Sequence, residues 1–157
     1  VTMAACGYFH TLVATEAGRV WAFGIGQYGR LGTGDEDDRT TPTEVVGLRG
    51  VTITLVAAGY SHSVAVSAGG GTFTWGCGLH GMLGHGSEDK QLEPREVEAG
   101  RFGGDRVVQA AAGAALTAAV KMHSEGLTGD LEWKSLPDRR TRRGLGMLLH
   151  WVPRARI

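Results

Sequence analysis

The stretch Phe73-Thr-Trp-Gly-Cys-Gly-Leu-His-Gly-Met-Leu-Gly-His-Gly86 decides the fold, because a second copy of it stands earlier in the chain. That earlier copy is Trp21-Ala-Phe-Gly-Ile-Gly-Gln-Tyr-Gly-Arg-Leu-Gly-Thr-Gly34 together with its flanks. When the chain is shifted by 52 residues against itself, each glycine of this copy falls on a glycine of the later one without a gap. A fixed period of this length indicates a protein built from successive similar units.

The similarity extends on both sides of this stretch. Gly7 and His10 align with Gly59 and His62 at the same offset of 52 residues. A third copy begins at Gly113, at an offset of 54 residues, and lacks the histidine. The repeat therefore covers roughly residues 1–122 and fades after them.

Apolar residues within each repeat alternate with period two, which predicts strands rather than helices. Glycine makes up 26 of the 157 residues, as tight turns between short strands require. Four short strands per repeat are the content of one propeller blade. Strands are predicted near residues 11–15, 19–23, 44–47, 51–57, 63–67, 72–75, 96–98, 106–111 and 116–120.

Kelch and WD40 blades have comparable lengths, and the internal motif separates them from this chain. Both copies resemble the Trp-Gly-x-Gly-x-x-Gly-x-Leu-Gly-x-Gly signature of the regulator-of-chromosome-condensation (RCC1) family, with Phe23 in place of a tryptophan in the first. The family's Gly-x-x-His-(Ser/Thr) element precedes each copy, at 7–11 and 59–63. The resemblance implies an all-β chain that is a fragment of an RCC1-type seven-bladed β-propeller. It would contain about two full blades plus partial ones, each an antiparallel four-stranded sheet.

The resemblance also divides the chain. Residues 1–17 are interpreted as the end of a preceding RCC1 repeat, and 18–69 and 70–122 as one RCC1 repeat each. Residues 123–157 are predicted to be a divergent basic tail without regular structure.

The charge of residues 1–120 gives no indication that this part of the chain binds nucleic acid. Residues 1–120 carry 8 Lys+Arg and 12 Asp+Glu, a net charge of −4, and residues 121–157 carry 8 and 4, a net charge of +4. Nucleic acid is therefore expected as a partner only through the tail, whose run 139–143 holds four arginines. The same run is equally compatible with an alternative end or with coding sequence read out of register.

Cysteine usage and hydropathy point to an intracellular protein, cytoplasmic or nuclear. Cys6 and Cys77 are too few for a disulfide framework. The apolar stretch 147–152 is far too short to span a bilayer.

Three motifs have chemical interpretations that the repeat argues against. Both glycine motifs match the dinucleotide-binding pattern, but the Leu-Gly-x-Gly that follows cannot start a stable helix.

Cys6-x-x-x-His10 and Cys77-x-x-His80 have spacings that zinc sites use. The repeat equivalents of the two cysteines are Ala58 and Ile25, so we interpret both cysteines as core residues. His10 and His62 recur at the blade period, which favours a structural role such as a hydrogen bond to a neighbouring backbone. No catalytic, cofactor-binding or metal-binding residues are predicted.

Acidic residues follow each glycine motif. Loops on a rigid scaffold commonly carry recognition, so these residues are candidates for contacting basic side chains of a partner, the alternative being a merely solvated loop. The candidate partner-binding residues are Asp35, Glu36, Asp37, Asp38, Glu88 and Asp89.

The resemblance implies a docking function rather than catalysis. The first hypothesis is a protein-protein interaction module within a larger regulatory protein, with proteins as partners and no cofactor. The first alternative is a guanine-nucleotide exchange factor, or part of one, for a Ran-type small GTPase. The second is the propeller region of a HECT-type ubiquitin ligase, whose catalytic lobe is absent from these residues.

Overall fold

A computed structural model describes residues 1–98, 106–114, 117–122, 129–136 and 146–153, and these residues are nearly all in strands and turns. Single 3-10 turns lie at Gln27–Gly29, Val46–Leu48 and Leu79–Gly81. The strands are β1 (Met3–Cys6), β2 (His10–Ala14), β3 (Val20–Gly24), β4 (Arg39–Glu44), β5 (Ile53–Ala58), β6 (His62–Ser67), β7 (Thr72–Gly76), β8 (Gln91–Glu96), β9 (Arg106–Ala112), β10 (Thr117–Met122), β11 (Gly129–Leu136) and β12 (Gly146–Pro153). The predicted all-β class is confirmed.

The first eight strands form two antiparallel four-stranded sheets. Their strand orders are β1-β2-β3-β4 and β5-β6-β7-β8, so that each strand pairs with its neighbour in the chain. Each sheet is one blade, as the resemblance implied. A blade does not coincide with a sequence repeat, because the predicted repeat 18–69 begins at β3 and ends after β6. Each blade is thus assembled from the end of one repeat and the start of the next.

The fourth strand of each blade differs from its predicted position. We expected strands at 44–47 and 96–98, whereas β4 and β8 end at Glu44 and Glu96. These outermost strands are polar, none of their residues is buried, and each contains a proline, Pro42 or Pro94. An edge strand needs no alternating apolar residues and tolerates proline. The period-two pattern therefore could not find them.

The tail also differs from the prediction. It was expected to lack regular structure from residue 123, whereas β11 and β12 occupy residues 129–136 and 146–153. The basic run 139–143, through which nucleic acid was expected to bind, lies outside the described residues. The third sheet has the order β11-β12-β10-β9, with β9 and β10 antiparallel as in the other blades. β12 then pairs with β10 in parallel, where the first two blades have an antiparallel strand. The apolar run 147–152 suits a strand, and the open edge of β10 provides unpaired backbone groups for it.

The main hydrophobic core lies between the first two blades. Leu12 and Val20 of the first blade pack in one cluster with Val56, Ala65 and Trp75 of the second. All five side chains are at most 2% exposed. Burial of this apolar surface holds the blades face to face.

No helix in the described part of the chain is long and apolar enough to cross a membrane.

A close backbone contact joins the blades at the recurring position of the repeat held by Gly7, Gly59 and Gly113. The N–H of Tyr8 donates to the carbonyl of Gly59 (3.2 Å), and the N–H of Tyr60 donates to the carbonyl of Gly113 (3.1 Å). A Cβ atom on Gly59 would lie 2.6 Å from the Gly113 carbonyl oxygen and 2.5 Å from the His62 ring. Glycine is required here because any side chain would push the blades apart.

Replacing Gly59 with alanine should therefore destabilise the protein by about 1–3 kcal/mol through overpacking. The backbone of Gly59 is outside the left-handed region, so the loss would come from the contact alone. Gly69→Ala is the matched control, because its Cβ would meet only the Ser67 hydroxyl at 3.7 Å. Urea unfolding followed by tryptophan fluorescence measures both variants. Equal midpoints for Gly59→Ala and Gly69→Ala would contradict the assigned role of the contact.

Candidate protein-interaction site

Two kinds of loop meet at one end of the first two blades. In an antiparallel sheet that follows chain order, the connections after the first and third strands emerge at the same end. The turns 7–9 and 59–61 therefore lie beside the segments 24–34 and 76–86, which we call the glycine loops. Both glycine motifs are in these loops, so this end of the blades carries most of the features that the sequence singled out.

Four aromatic side chains are exposed at this end, and we call Tyr8, Phe9, Tyr28 and Tyr60 the aromatic patch. The Tyr8 ring lies 5.1 Å from the Phe9 ring and 5.0 Å from the Tyr60 ring, and the Phe9 and Tyr60 rings are 5.4 Å apart. Their exposed fractions run from 38% for Tyr28 to 73% for Tyr8. Because Tyr60 belongs to the second blade, the patch crosses the boundary between blades.

Arg30 lies directly beneath the aromatic patch and is only 1% exposed. Its guanidinium carbon is 5.7 Å from the ring centres of both Phe9 and Tyr28, within the range of cation–π attraction. Nε donates to the Gln27 carbonyl (2.8 Å), and Nη1 donates to the Tyr60 carbonyl (3.2 Å). Arg30 thus links the glycine loop of the first blade to a turn of the second.

No carboxylate lies within 4.0 Å of Arg30 among the described residues, whose ion pairs all involve other basic side chains. Burial lowers the pKa of Arg30, and the fields of Tyr28, Tyr60 and Asp38 oppose that shift. An arginine remains charged under these conditions. The patch therefore covers a partly desolvated positive charge.

The backbone of Arg30 fixes the glycine loop to the second blade. Its carbonyl oxygen accepts hydrogen bonds from the Ser63 hydroxyl (2.7 Å) and the Trp75 indole N–H (3.0 Å). All three residues are buried. The repeat equivalent of Trp75 is Phe23, which has no N–H to donate. The tryptophan of the sequence signature thus anchors the loop of the preceding blade.

His10 completes this network. Its Nε2 lies 2.8 Å from the Ser63 hydroxyl, which already donates to Arg30, so the imidazole must be the donor. Its Nδ1 is buried without a hydrogen-bond partner in the described structure. His62 makes the corresponding contact with the Thr117 hydroxyl at 2.9 Å. Each of these imidazoles contacts a hydroxyl of the next blade, which agrees with the structural role that the repeat predicts.

The glycine loops do not form the helix that a dinucleotide site requires. A single 3-10 turn ends at Gly29, and Gly32 then takes the left-handed conformation at φ 74°. Tyr28 is also left-handed, with φ 65°, at a cost of roughly 1–3 kcal/mol for a non-glycine residue. The Glu36 carboxylate accepts the Tyr28 N–H at 3.1 Å and helps to hold this conformation. His80, the repeat equivalent of Tyr28, is also left-handed at φ 60°, so this conformation belongs to the shape of the loop in both blades.

The predicted acidic residues of the first loop are largely engaged within the chain. Asp35 pairs with Arg39 at 2.6 Å, and Glu36 pairs with Lys90 of the second blade. The hydrogen bond from Lys90, supported by the Tyr28 N–H, lowers the pKa of Glu36. Two of the predicted residues thus shape the loop and tie it to the neighbouring blade.

The other four predicted residues are exposed. An oxygen of Asp38 accepts the Gly26 N–H at 2.8 Å, and Asp37 lies 3.9 Å from Arg39. Glu88 and Asp89 are exposed in the second loop. Their contact with a partner stays a prediction.

The cysteines do not share a site. Cys6 is exposed, so its interpretation as a core residue is wrong, whereas Cys77 is buried against Met82 and Leu83 as expected. The described residues include no group of three or more His, Cys, Asp or Glu side chains placed to hold a metal ion.

The aromatic patch and Arg30 were not predicted from the sequence. Two signals pointed to them: Tyr8 and Tyr60 are equivalent in the repeat, and Arg30 occupies the position that Met82 holds in the second copy. Neither signal reveals that the rings are exposed or that the charge lies beneath them, because both depend on how the blades pack.

The sequence profile described as "Regulator of chromosome condensation (RCC1) repeat" matches residues 17–66 and 69–120. The chain is 39% identical over 99 residues to the ultraviolet-B receptor UVR8 of Arabidopsis thaliana, which covers 63% of this chain and 22% of the receptor. It is 40% identical over 104 residues to the human E3 ubiquitin-protein ligase HERC2, covering 66% of this chain and 2% of the ligase. The chain therefore spans less than a quarter of either relative.

Solved structures share the fold. Human WBSCR16 superposes with a TM-score of 0.70 and 34% identity, over 76% of this chain and 30% of that protein. Prp20p of Saccharomyces cerevisiae, described with its binding to Gsp1p and histones, superposes with a TM-score of 0.65 and 24% identity. The latter covers 78% of this chain and 32% of Prp20p. Both matches agree with the blades described above.

The buried His10 should make stability depend on pH. Burial, and then the charges of Arg30 and His62, lower the pKa of His10 from 6.5 to about 4. The unfolded chain takes up this proton below pH 6.5 while the folded chain resists it. The free energy of unfolding is therefore not reduced by His10 above pH 6.5. It falls as the pH drops towards 4, by roughly 3 kcal/mol at most.

Urea unfolding across this pH range, for the unmodified chain and for His10→Gln, tests this prediction. Glutamine can still donate to Ser63 but does not titrate, so the variant should lose less stability on acidification. Parallel stability curves for the two proteins would show that His10 is not the titrating group.

Proposed function

The chain belongs to the RCC1-repeat family, and on that basis we propose that it is a protein-protein interaction module within a larger regulatory protein. It presents a partner-binding surface at the end of the blades that carries the glycine loops. In this proposal the module performs no catalysis itself and acts inside the cell, in the cytoplasm or nucleus. Its two cysteines and its repeat-built scaffold support that setting.

The aromatic patch is the observation that carries the proposal. Three of its rings contact one another and yet remain 42–73% exposed. Exposed aromatic clusters are characteristic of binding surfaces, and tyrosine in particular is enriched among residues that dominate binding energy. The hydrogen bonds of the Arg30 carbonyl and of Gly59 hold the supporting loops in place. A preorganised surface loses less conformational entropy when a partner binds.

The exposed acidic residues of the two loops, which we call the acidic rim, support a contribution of charge to partner binding. The exposed Asp37, Asp38, Glu88 and Asp89 lie on the loops that surround or adjoin the patch. Rim charges affect mainly the rate of association and its salt dependence. We propose that they steer the module towards basic segments of its partner, while the patch provides affinity.

The relatives support docking more than any single enzymatic activity. Only the repeats align with HERC2, and they amount to 2% of that ligase, so ligase activity is not carried over with them. Prp20p is a protein whose described partners are proteins, Gsp1p and histones, although at 24% identity it supports the fold alone. Exchange activity on a Ran-type GTPase stays the alternative. Measuring release of a fluorescent GDP analogue from such a GTPase would favour that alternative if the chain accelerated it.

Replacing both Tyr8 and Tyr60 with serine should weaken partner binding by about tenfold or more. Tyrosines that become buried in an interface commonly contribute ~2 kcal/mol to the free energy of binding. Folding should change little, since both side chains are exposed. Val46→Ser is the control, because Val46 is a 55% exposed apolar residue outside the patch.

The measurement is affinity capture with the unmodified chain, the Tyr8→Ser/Tyr60→Ser variant and Val46→Ser. Calorimetry on each purified partner then gives its affinity for the three proteins. A partner retained by Val46→Ser and lost by Tyr8→Ser/Tyr60→Ser supports the proposal. If every captured protein binds the patch variant as tightly as the unmodified chain, the proposed surface is wrong.

A further inference from the structure

We propose that Arg30 and the aromatic patch together recognise a carboxylate side chain that stands next to an apolar residue in a partner protein. The partner would thus contribute an acidic segment to this part of the surface. This inference rests on the proposed function and specifies the chemistry of the binding site.

The first argument is the unbalanced charge of Arg30. A guanidinium carries five N–H donors, and removing it from water is costly unless those donors and the charge are compensated. Hydrogen bonds to Gln27 and Tyr60, together with the Phe9 and Tyr28 rings, provide part of that compensation. Within the described structure, Nη2 has no hydrogen-bond partner and the guanidinium has no ion pair. A carboxylate is the group that best completes this set, because it can accept two parallel hydrogen bonds from arginine.

The second argument is that the fold does not need this charge. Met82 occupies the equivalent position of the second blade and is 5% exposed, close to the 1% of Arg30. The same loop therefore packs well around an uncharged side chain of similar length. Arginine at this position adds a charge beneath the surface without being needed to fill the space.

The third argument is that neither neighbouring carboxylate forms an ion pair with Arg30 in the described structure. Asp38 is close enough for its field to act on Arg30, but its Oδ1 accepts the Gly26 N–H at 2.8 Å. Glu36 is bound by Lys90 and by the Tyr28 N–H. Neither acidic side chain neutralises Arg30 directly, so the vacant donors favour a carboxylate from outside the chain.

The rings above Arg30 determine which carboxylates fit. Tyr28 is 38% exposed and covers one face of the guanidinium, so rotation of its side chain would open a path from solvent. An apolar neighbour of the incoming carboxylate would then pack on Tyr8 and Tyr60, which excludes water and strengthens the ion pair. The expected ligand is an aspartate or glutamate flanked by aromatic or aliphatic residues.

Binding of three capped pentapeptides to the full chain tests the inference. The probes are Gly-Phe-Asp-Leu-Gly and its counterparts with Asn or Lys in place of Asp. Two-dimensional NMR gives each Kd and follows the Nε–H signal of Arg30. The Asp peptide should bind about tenfold more tightly than the Asn peptide and shift that signal. In Arg30→Met, which introduces the residue type that the second repeat holds at Met82, this preference should disappear. The urea midpoint of this variant should fall modestly, because the Gln27 and Tyr60 carbonyls lose their donors, and the variant should remain folded under the binding conditions.

The outcomes separate the inference from the proposed function. If the Asp and Asn peptides bind equally, or if Arg30→Met keeps the preference, the surface binds peptides but the carboxylate inference is wrong. Tightest binding of the Lys peptide would also overturn it and would assign a basic segment to the patch. If none of the peptides binds and Tyr8→Ser/Tyr60→Ser retains every partner, both proposals fail.

Discussion

The contact between the carbonyl of one turn and the N–H of the turn in the preceding blade is the constraint on which the rest of this structure depends. It brings Gly59 so close to Gly113 and to the His62 ring that the position cannot hold a side chain. Once the turns are joined in this way, β1 and β2 face β5 at a distance that closes the core around Leu12 and Trp75. The hydrogen bonds of His10 and of the Arg30 carbonyl can form only at that spacing. Short-range contacts between neighbouring units are what stabilise repeat proteins in general.

This rigidity explains how exposed aromatic residues can be maintained at one end of the blades. Exposed rings gain nothing from the hydrophobic effect until a partner covers them. Here Tyr28 is held in a left-handed conformation by Glu36, and Arg30 is held by carbonyls of two loops. The free energy that keeps these loops in place comes from the core and from the contacts between blades. The exposed residues of these loops are therefore not required for folding and are available for contacts with a partner.

Much of the fold could be predicted from the sequence, because glycines and histidines that recur at a fixed period report directly on turns and on contacts between blades. The edge strands β4 and β8 were misplaced because polar strands without buried residues carry no period-two signal. The tail strands β11 and β12 were missed because the repeat does not extend into the tail. The site was less accessible. The acidic residues are visible as a charge run, yet the engagement of Asp35 and Glu36 within the chain depends on Arg39 and on Lys90, 54 residues away. Arg30 and Tyr60 become neighbours only when two blades pack, which no local pattern encodes.

The offset between sequence repeats and blades has a consequence for how such chains tolerate breaks and duplications. A unit that spans β3 to β6 contributes half of each of two sheets, so the covalent chain crosses between blades inside every unit. Copying one unit in a gene adds a complete blade's worth of strands without leaving any sheet open in the interior. A cleavage within 46–52, between β4 and β5, severs the crossing but leaves both sheets whole, held together by the shared core. A cleavage at a unit boundary, between β2 and β3, instead divides one sheet, whose halves then remain joined only by backbone hydrogen bonds and packing.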